Sequence, residues 1–146
     1  MKLFAFLLTG SLILSAFKPY REINLYDSSG NATAYIDDYL SDQVIYLWDG
    51  SPEAYLIHSY NGTDVYGFNG KHLGWFEKGI LRDNEGQIVG TTKEAADKFT
   101  IDGSLKGLKN TPPEKQFHEL SPVKPYFSTL WSLTKLNDFL LNGTAN

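Results

Sequence analysis

The chain has few side chains of the kinds that catalysis or metal binding requires. It has no cysteine, and its three histidines, His58, His72 and His118, lie too far apart in sequence to form a metal-ligand motif. No sequence pattern for a nucleophilic serine or cysteine is present. We therefore predict no metal, no cofactor and no enzymatic activity.

Acidic side chains leave one catalytic alternative open. If Asp64, Glu77 and Asp83 converged on one pole of the fold, two carboxylates about 5 to 9 Å apart in a cleft would suit the hydrolysis of a glycoside. The sequence alone does not establish such a convergence. A hydrolase is therefore the least favoured of three hypotheses, behind an interaction module and a ligand-binding module.

Aromatic side chains supply a candidate binding surface. Phe, Tyr and Trp make up 14% of the chain. Four side chains lie at corresponding positions of a repeated pattern: Tyr26, Trp48, Phe68 and Arg82. We predict either that the C-terminal part of the chain covers them, or that they form an exposed platform for a glycan, a peptide or another protein.

The repeated pattern determines which elements must position these residues. Four similar segments, 25–36, 47–56, 67–76 and 81–92, each combine an apolar run, an Asp or Asn near a Gly, and a second apolar run. The turn glycines are Gly30, Gly50, Gly70 and Gly86. Asp-Gly and Asn-Gly pairs between apolar runs favour type I′ hairpin turns. We therefore predict four consecutive antiparallel β-hairpins, with two extra loop residues in the first and fourth.

The hairpins must share one core, because an isolated two-stranded hairpin is marginally stable in water. A pseudo-fourfold ring or a rolled barrel of hairpins satisfies this requirement. Alternation along the strands puts Leu25, Ile45 and Val65 on one face and Tyr26, Tyr46 and Tyr66 on the other. Both faces are apolar, whereas a half-exposed sheet carries polar residues on its outer face.

Two stretches resemble a known family. Residues 45–56, from Ile45 to Leu56, and residues 66–79, with the run Gly70-Lys71-His72-Leu73-Gly74-Trp75-Phe76, are similar to the 4-fold beta flower domain, a small bacterial module. The resemblance covers about residues 23–95. It implies a mainly β fold of four hairpins, and it implies no activity, substrate or catalytic residue.

The N-terminal segment is predicted to direct export. Lys2 precedes an uncharged apolar run over residues 3–17, as in a secretory signal peptide. We expect residues 1–17 to be removed and the protein to be periplasmic or extracellular. The alternative is a short membrane anchor over residues 3–17, although about 20 residues are needed to span a bilayer.

The C-terminal part differs from the hairpins in charge and composition. Residues 18–102, the predicted four-hairpin domain, hold 14 acids and 7 bases, whereas residues 103–146 hold 3 acids and 5 bases. The opposite charges favour docking of the tail onto the hairpins, and binding of another protein is the alternative. We predict one short helix over residues 95–99 behind a capping box, then a Gly-, Lys- and Pro-rich linker, then a helix that contains Leu133, Leu136 and Leu140.

These observations favour an exported, non-catalytic structural or protein-interaction module of the cell envelope. A ligand- or glycan-binding module is the alternative. The formal net charge of −4 argues against a nucleic-acid partner, since such proteins neutralise phosphates with basic surfaces. Contact with a membrane is expected only through the N-terminal segment, if it is retained.

Overall fold

The computed structural model describes residues 20–38 and 42–145. In these ranges the chain forms eight strands and one helix: β1 (Glu22–Tyr26), β2 (Ala32–Asp37), β3 (Val44–Leu47), β4 (Pro52–Ser59), β5 (Gly62–Gly67), β6 (His72–Glu77), β7 (Ile80–Asp83), β8 (Ile88–Thr91) and α1 (Leu136–Leu141). The predicted signal segment, residues 1–17, lies outside the described residues. Within them, no helix is long and apolar enough to cross a bilayer.

The strands form a closed antiparallel barrel in chain order. The predicted mainly β fold of four consecutive hairpins is confirmed. Seven of the eight strand pairs are extensive, whereas β1 and β8 join through the single pair Tyr26 and Thr91. The seam between β1 and β8 is therefore the weakest part of the barrel wall.

The four hairpin turns share one geometry, and it differs from the predicted type I′ turn. In each turn, the N–H of the glycine donates to the carbonyl three residues earlier, as from Gly30 to Asp27 and from Gly70 to Gly67. Only the glycine has positive φ, with values between 83° and 93°. Lys78 is the one non-glycine described residue with positive φ, so the type I′ geometry fits the connection at Lys78 and Gly79 instead.

The predicted extra residues in the outer loops are absent, because the four hairpins are equal in length. Each turn glycine lies five residues after an inward-facing residue: Leu25, Ile45, Val65 and Leu81. The Asp or Asn that stabilises the turn occupies two different positions. Asp27 accepts from the N–H groups of residues 29 and 31, whereas Asp49 accepts from that of Ser51. The turn Asp or Asn therefore lies two positions later in some hairpins than in others, so it does not mark the same place in each repeat.

The predicted alternation of faces is confirmed. Leu25, Ile45, Val65 and Leu81 point into the barrel and are fully buried in one apolar cluster. The next residue of three hairpins is a tyrosine that lies on the outer wall, and Arg82 takes this place in the fourth. Outer-wall aromatics form a second apolar cluster around Tyr35, Tyr55 and Phe68. The wall is therefore apolar on both sides, and its outer side needs a cover.

The predicted C-terminal helix is present as α1, and it closes the barrel at the end where the turns lie. It begins at Leu136, so Leu133, which was predicted to belong to it, lies outside the helix and is exposed. Leu136, Phe139 and Leu140 are buried in the interior cluster with the strand residues. Gly143 follows the helix and packs against Gly67 beside the third turn. The tail therefore completes the barrel core, and these contacts make it part of the same packed unit.

The predicted helix over residues 95–99 does not form. Thr92 to Ala96 make two consecutive turns, in which Ala95 and Ala96 donate to the carbonyls of Thr92 and Lys93. The chain then becomes extended, because Phe99 and Ile101 contact the first hairpin turn. A helix this short requires packing to be stable, and the exposed side chain of Phe99 provides none.

Candidate functional site

The tail attaches to each hairpin turn by the same hydrogen bond. We call residues 98–132 the belt. Its backbone N–H groups donate to the turn glycine carbonyls in four equivalent pairs: Ile101 to Gly30 at 2.8 Å, Asn110 to Gly50 at 3.0 Å, Glu119 to Gly70 at 2.9 Å and Ser128 to Gly86 at 3.0 Å. The four donors are nine residues apart. The belt therefore passes round the barrel in nine-residue steps, one step for each hairpin.

The turn glycines are required by the close approach of the belt as well as by the turn geometry. At Gly50 and Gly70, a Cβ would overlap the carbonyl oxygen of Leu108 or Phe117, and the positive φ already disfavours a side chain. The backbone of the belt thus lies directly on the backbone of each turn. A substitution at these glycines affects the turn and the belt together.

The belt starts and ends on the two sides of the weak seam. Ile101 forms a parallel bridge with Asn31 beyond β1, and Trp131 forms one with Ile88 at the start of β8. The Ile88 N–H also donates to the Leu130 carbonyl at 2.9 Å. Because the belt holds both sides, it reinforces the seam that strand pairing leaves weak.

Lysines at nine-residue spacing fasten the belt to the outer wall. Lys106 lies 2.7 Å from Glu22 and 4.1 Å from the ring centre of Tyr35, and Lys115 lies 2.8 Å from Asp42 and 4.4 Å from that of Tyr55. Each ammonium thus combines an ion pair with a cation–π contact. These pairs confirm that the basic tail docks on the acidic hairpin body.

Two further lysines of the belt, the third of the series and one outside it, also form ion pairs with acidic side chains of the barrel. Lys124 pairs with Glu77, and Lys109 pairs with Asp37 and with Glu22. Burial alone raises the pKa of Glu22, but hydrogen bonds from Lys106, Tyr20 and Lys109 outweigh it and lower this pKa to about 2. Burial also raises the pKa of Tyr35 to about 12. At neutral pH the carboxylate is therefore charged, as its ion pairs require, and the phenol is neutral.

The four residues of the predicted platform lie under the belt. Tyr26 is buried and donates its hydroxyl to Asp102, and Trp48 is half-buried and donates from Nε1 to the Ser104 carbonyl at 2.9 Å. Phe68 is buried in the outer-wall cluster.

Arg82, the fourth platform residue, lies 4.6 Å from the ring centre of Phe127, a belt residue. Of the two alternatives for the aromatic face, the structure shows the covered one. The four positions are also not equivalent, because Tyr26 and Arg82 correspond to Tyr46 and Tyr66 in the other hairpins.

The described residues include one His–Asp–Ser cluster. Its geometry is that of a structural contact between the belt and the barrel and not that of a catalytic triad. Nε2 of His72 lies 2.8 Å from Asp64 Oδ1, and the Ser121 hydroxyl donates to the same oxygen at 2.6 Å. In a catalytic triad, the acid and the serine contact opposite ring nitrogens. Here they share one side of the ring. Since Ser121 belongs to the belt, this cluster ties the belt to β5 and β6.

The acids that a hydrolase would need are engaged in separate contacts. Asp64 binds His72 and Ser121, Glu77 pairs with Lys124, and Asp83 accepts from the N–H groups of its own turn. Asp83 and Glu77 lie at opposite ends of the barrel wall, since β6 and β7 pair Asp83 with Gly74 and Glu77 with Ile80. Among residues 20–38 and 42–145, no group of three His, Asp or Glu side chains is placed to bind a metal ion.

The outer side of the belt carries exposed apolar side chains. At the residue whose carbonyl faces each turn glycine, the side chain points away from the barrel. We call these four residues the apolar ring: Phe99, Leu108, Phe117 and Tyr126, with exposed fractions of 86%, 91%, 100% and 94%. The ring members recur every nine residues, so they are spaced round the barrel as the turns are. No other part of the described surface presents large apolar side chains in such a series.

The belt repeat was missed in the sequence although it carries a signal. Lys106, Lys115 and Lys124 are nine residues apart, and so are the members of the apolar ring. The rest of the repeat varies freely, because its main contacts are made by the backbone. The high Gly, Lys and Pro content therefore masked the period.

Comparison with known families agrees with this architecture. The family model of the 4-fold beta flower protein matches residues 23–140. The chain belongs to the 4-fold beta flower protein family. The match extends beyond the four hairpins through the whole belt and into α1. Neither a curated protein nor a solved structure matches the chain.

Proposed function

We propose that this 4-fold beta flower protein is an exported, non-catalytic protein-interaction module of the cell envelope, and that the apolar ring is its binding surface. One observation supports this most: four large apolar side chains are exposed on a backbone that is fixed at every turn. Large apolar side chains that are exposed at equivalent positions provide candidate anchors for a partner. A fixed backbone also lowers the entropy that binding must overcome.

The size of the surface favours a protein partner over a small ligand. Each of the three aromatic members of the ring offers roughly 150–250 Å². A standard interface takes about 800 Å² from each partner, so a partner must contact several ring members together with neighbouring residues such as Leu105 and Leu120, which a protein can do and a small ligand cannot.

Charge favours a partner other than a second copy. All 17 Asp and Glu residues lie in the described ranges, with 11 of the 13 Lys and Arg residues. Four of the five lysines of residues 103–146 are paired with acids of the barrel. The described part of the chain is therefore acidic overall, so two copies would repel each other. A neutral or basic protein is the complementary partner.

Site-specific photo-crosslinking in the native host tests this proposal. A photoreactive phenylalanine analogue at Leu108 or Phe117 should capture the same protein, whereas the analogue at Glu114, an exposed belt residue outside the ring, should not. The mass of the recovered protein tests export at the same time, since removal of residues 1–17 gives a new N-terminus at Lys18.

The outcomes are distinct. Equal capture from Glu114 and Phe117, or capture of a second copy alone, contradicts the proposed partner surface. An intact Met1 in a soluble cytoplasmic fraction contradicts export alone. A ligand-binding role for Tyr26, Trp48, Phe68 and Arg82 stays a prediction, and it now requires that the belt be displaced.

A further inference from the structure

A cleft of about 640 Å³ lies beside the tip of the β4–β5 hairpin. It is lined by Tyr60 and Asn61 of the tip and by belt residues that include Pro122 and Val123. Trp75 lies at its base and is buried. The volume is within the range of about 300–1,000 Å³ that is typical of small-ligand sites.

The hairpin tip exposes an aromatic side chain without a packing role. Tyr60 is 97% exposed and makes no hydrogen bond or ring contact with the described residues. The equivalent connection between β6 and β7 consists of Lys78 and Gly79, so the tyrosine is not required by the hairpin geometry. An exposed aromatic ring at the mouth of a cleft provides a flat apolar surface with a polar tip.

Polar groups face the same cleft with hydrogen-bonding capacity to spare. Asp64 uses Oδ1 for both His72 and Ser121, and its Oδ2 has no partner among residues 20–38 and 42–145. The side-chain amide of Asn61 is also without a partner in those ranges. The cleft thus offers one acceptor and one group that both donates and accepts.

The charges of the cleft favour a neutral ligand. Lys124 is the cation that lines it, and its ammonium already contacts Glu77 and the carbonyl of Asn61. An anionic ligand would have to compete with Glu77 and would approach Asp64. A neutral ligand rich in hydroxyl groups meets neither obstacle.

We propose that this cleft binds carbohydrate. A pyranose has an apolar face of C–H groups that packs on an aromatic ring, and hydroxyl groups at its edge that bond to carboxylate and amide groups. Tyr60 takes the apolar face, and Asp64 Oδ2 and Asn61 take the hydroxyl groups. The site is separate from the apolar ring, so this inference does not depend on the proposed protein partner.

Isothermal titration calorimetry of the full mature chain tests the assignment. The probes are tetrasaccharides of β-linked glucose, N-acetylglucosamine, xylose and mannose, and a tetrapeptide of neutral residues. We expect saturable one-to-one binding of at least one tetrasaccharide. Tyr60→Ala should weaken it about fivefold or more, because a stacked aromatic contact contributes about 1 kcal/mol.

Tyr126→Ala is the matched control, since it removes an equally exposed tyrosine from the apolar ring and leaves the cleft intact. Asn61→Ala gives a second variant at the hairpin tip. Thermal melting of each variant verifies that it is folded. Absence of saturable binding by all four sugars, equal affinity in Tyr60→Ala, or binding of the tetrapeptide alone overturns the carbohydrate assignment.

Discussion

Deletion of residues 133–146 should leave the chain largely unfolded at room temperature. The deletion removes Leu136, Phe139 and Leu140 from the interior of the barrel, where each is at most 4% exposed. Loss of one such side chain costs about 2–5 kcal/mol, so three together match the whole stability of about 5–15 kcal/mol that a domain has. Circular dichroism during heating and ANS fluorescence measure the effect.

Single substitutions separate the loss of packing from the loss of chain length. Phe139→Ala should lower the free energy of unfolding by about 3–5 kcal/mol. Leu133→Ala, just before the helix, should change it by less than about 0.5 kcal/mol, because its side chain is fully exposed. If the truncated chain melts with the parent and binds no additional ANS, α1 does not complete the core.

Replacement of Gly70 by valine should also be strongly destabilising. The glycine has a φ of +84°, and a β-branched residue there costs about 1–2 kcal/mol. Its Cβ would overlap the Phe117 carbonyl of the belt, which adds the cost of moving the belt from the turn. We expect a loss of about 2 kcal/mol or more in the free energy of unfolding in urea.

Lys71→Val is the matched control for this substitution. It introduces the same side chain one residue later, at an exposed position of ordinary φ. The control should stay within about 0.5 kcal/mol of the parent. Equal midpoints for the two valine variants would show that neither the turn nor the belt contact at Gly70 matters for stability.

Much of the fold follows from local physical rules. The hairpins were predictable because the turn glycines recur between apolar runs, and the two wall faces were predictable because side chains alternate along a strand. The exact register of the hairpins could not be predicted, because an Asp or Asn stabilises the turn from either of two positions, as Asp27 and Asp49 show.

The candidate sites were harder to predict, because they depend on contacts between distant segments. The apolar ring exists only because belt carbonyls face the turn glycines, and backbone contacts of this kind place few demands on side chains. The cleft beside Tyr60 requires that the β4–β5 tip and residues 121–124 lie together. Neither arrangement produces a pattern among neighbouring residues of the sequence. The nine-residue spacing of Lys106, Lys115 and Lys124 is nevertheless a sign of the belt repeat.

Amide hydrogen exchange measured by NMR is the most direct test of the central claim, that four equivalent turns hold the belt and so present the apolar ring. The N–H groups of Ile101, Asn110, Glu119 and Ser128, which donate to the turn glycines, should exchange at least about tenfold more slowly than that of Val123, which has no backbone acceptor among the described residues. Protection at all four confirms the wrapped belt. Exchange at all four as fast as at Val123 would show that the belt is not bound to the barrel and would contradict the account.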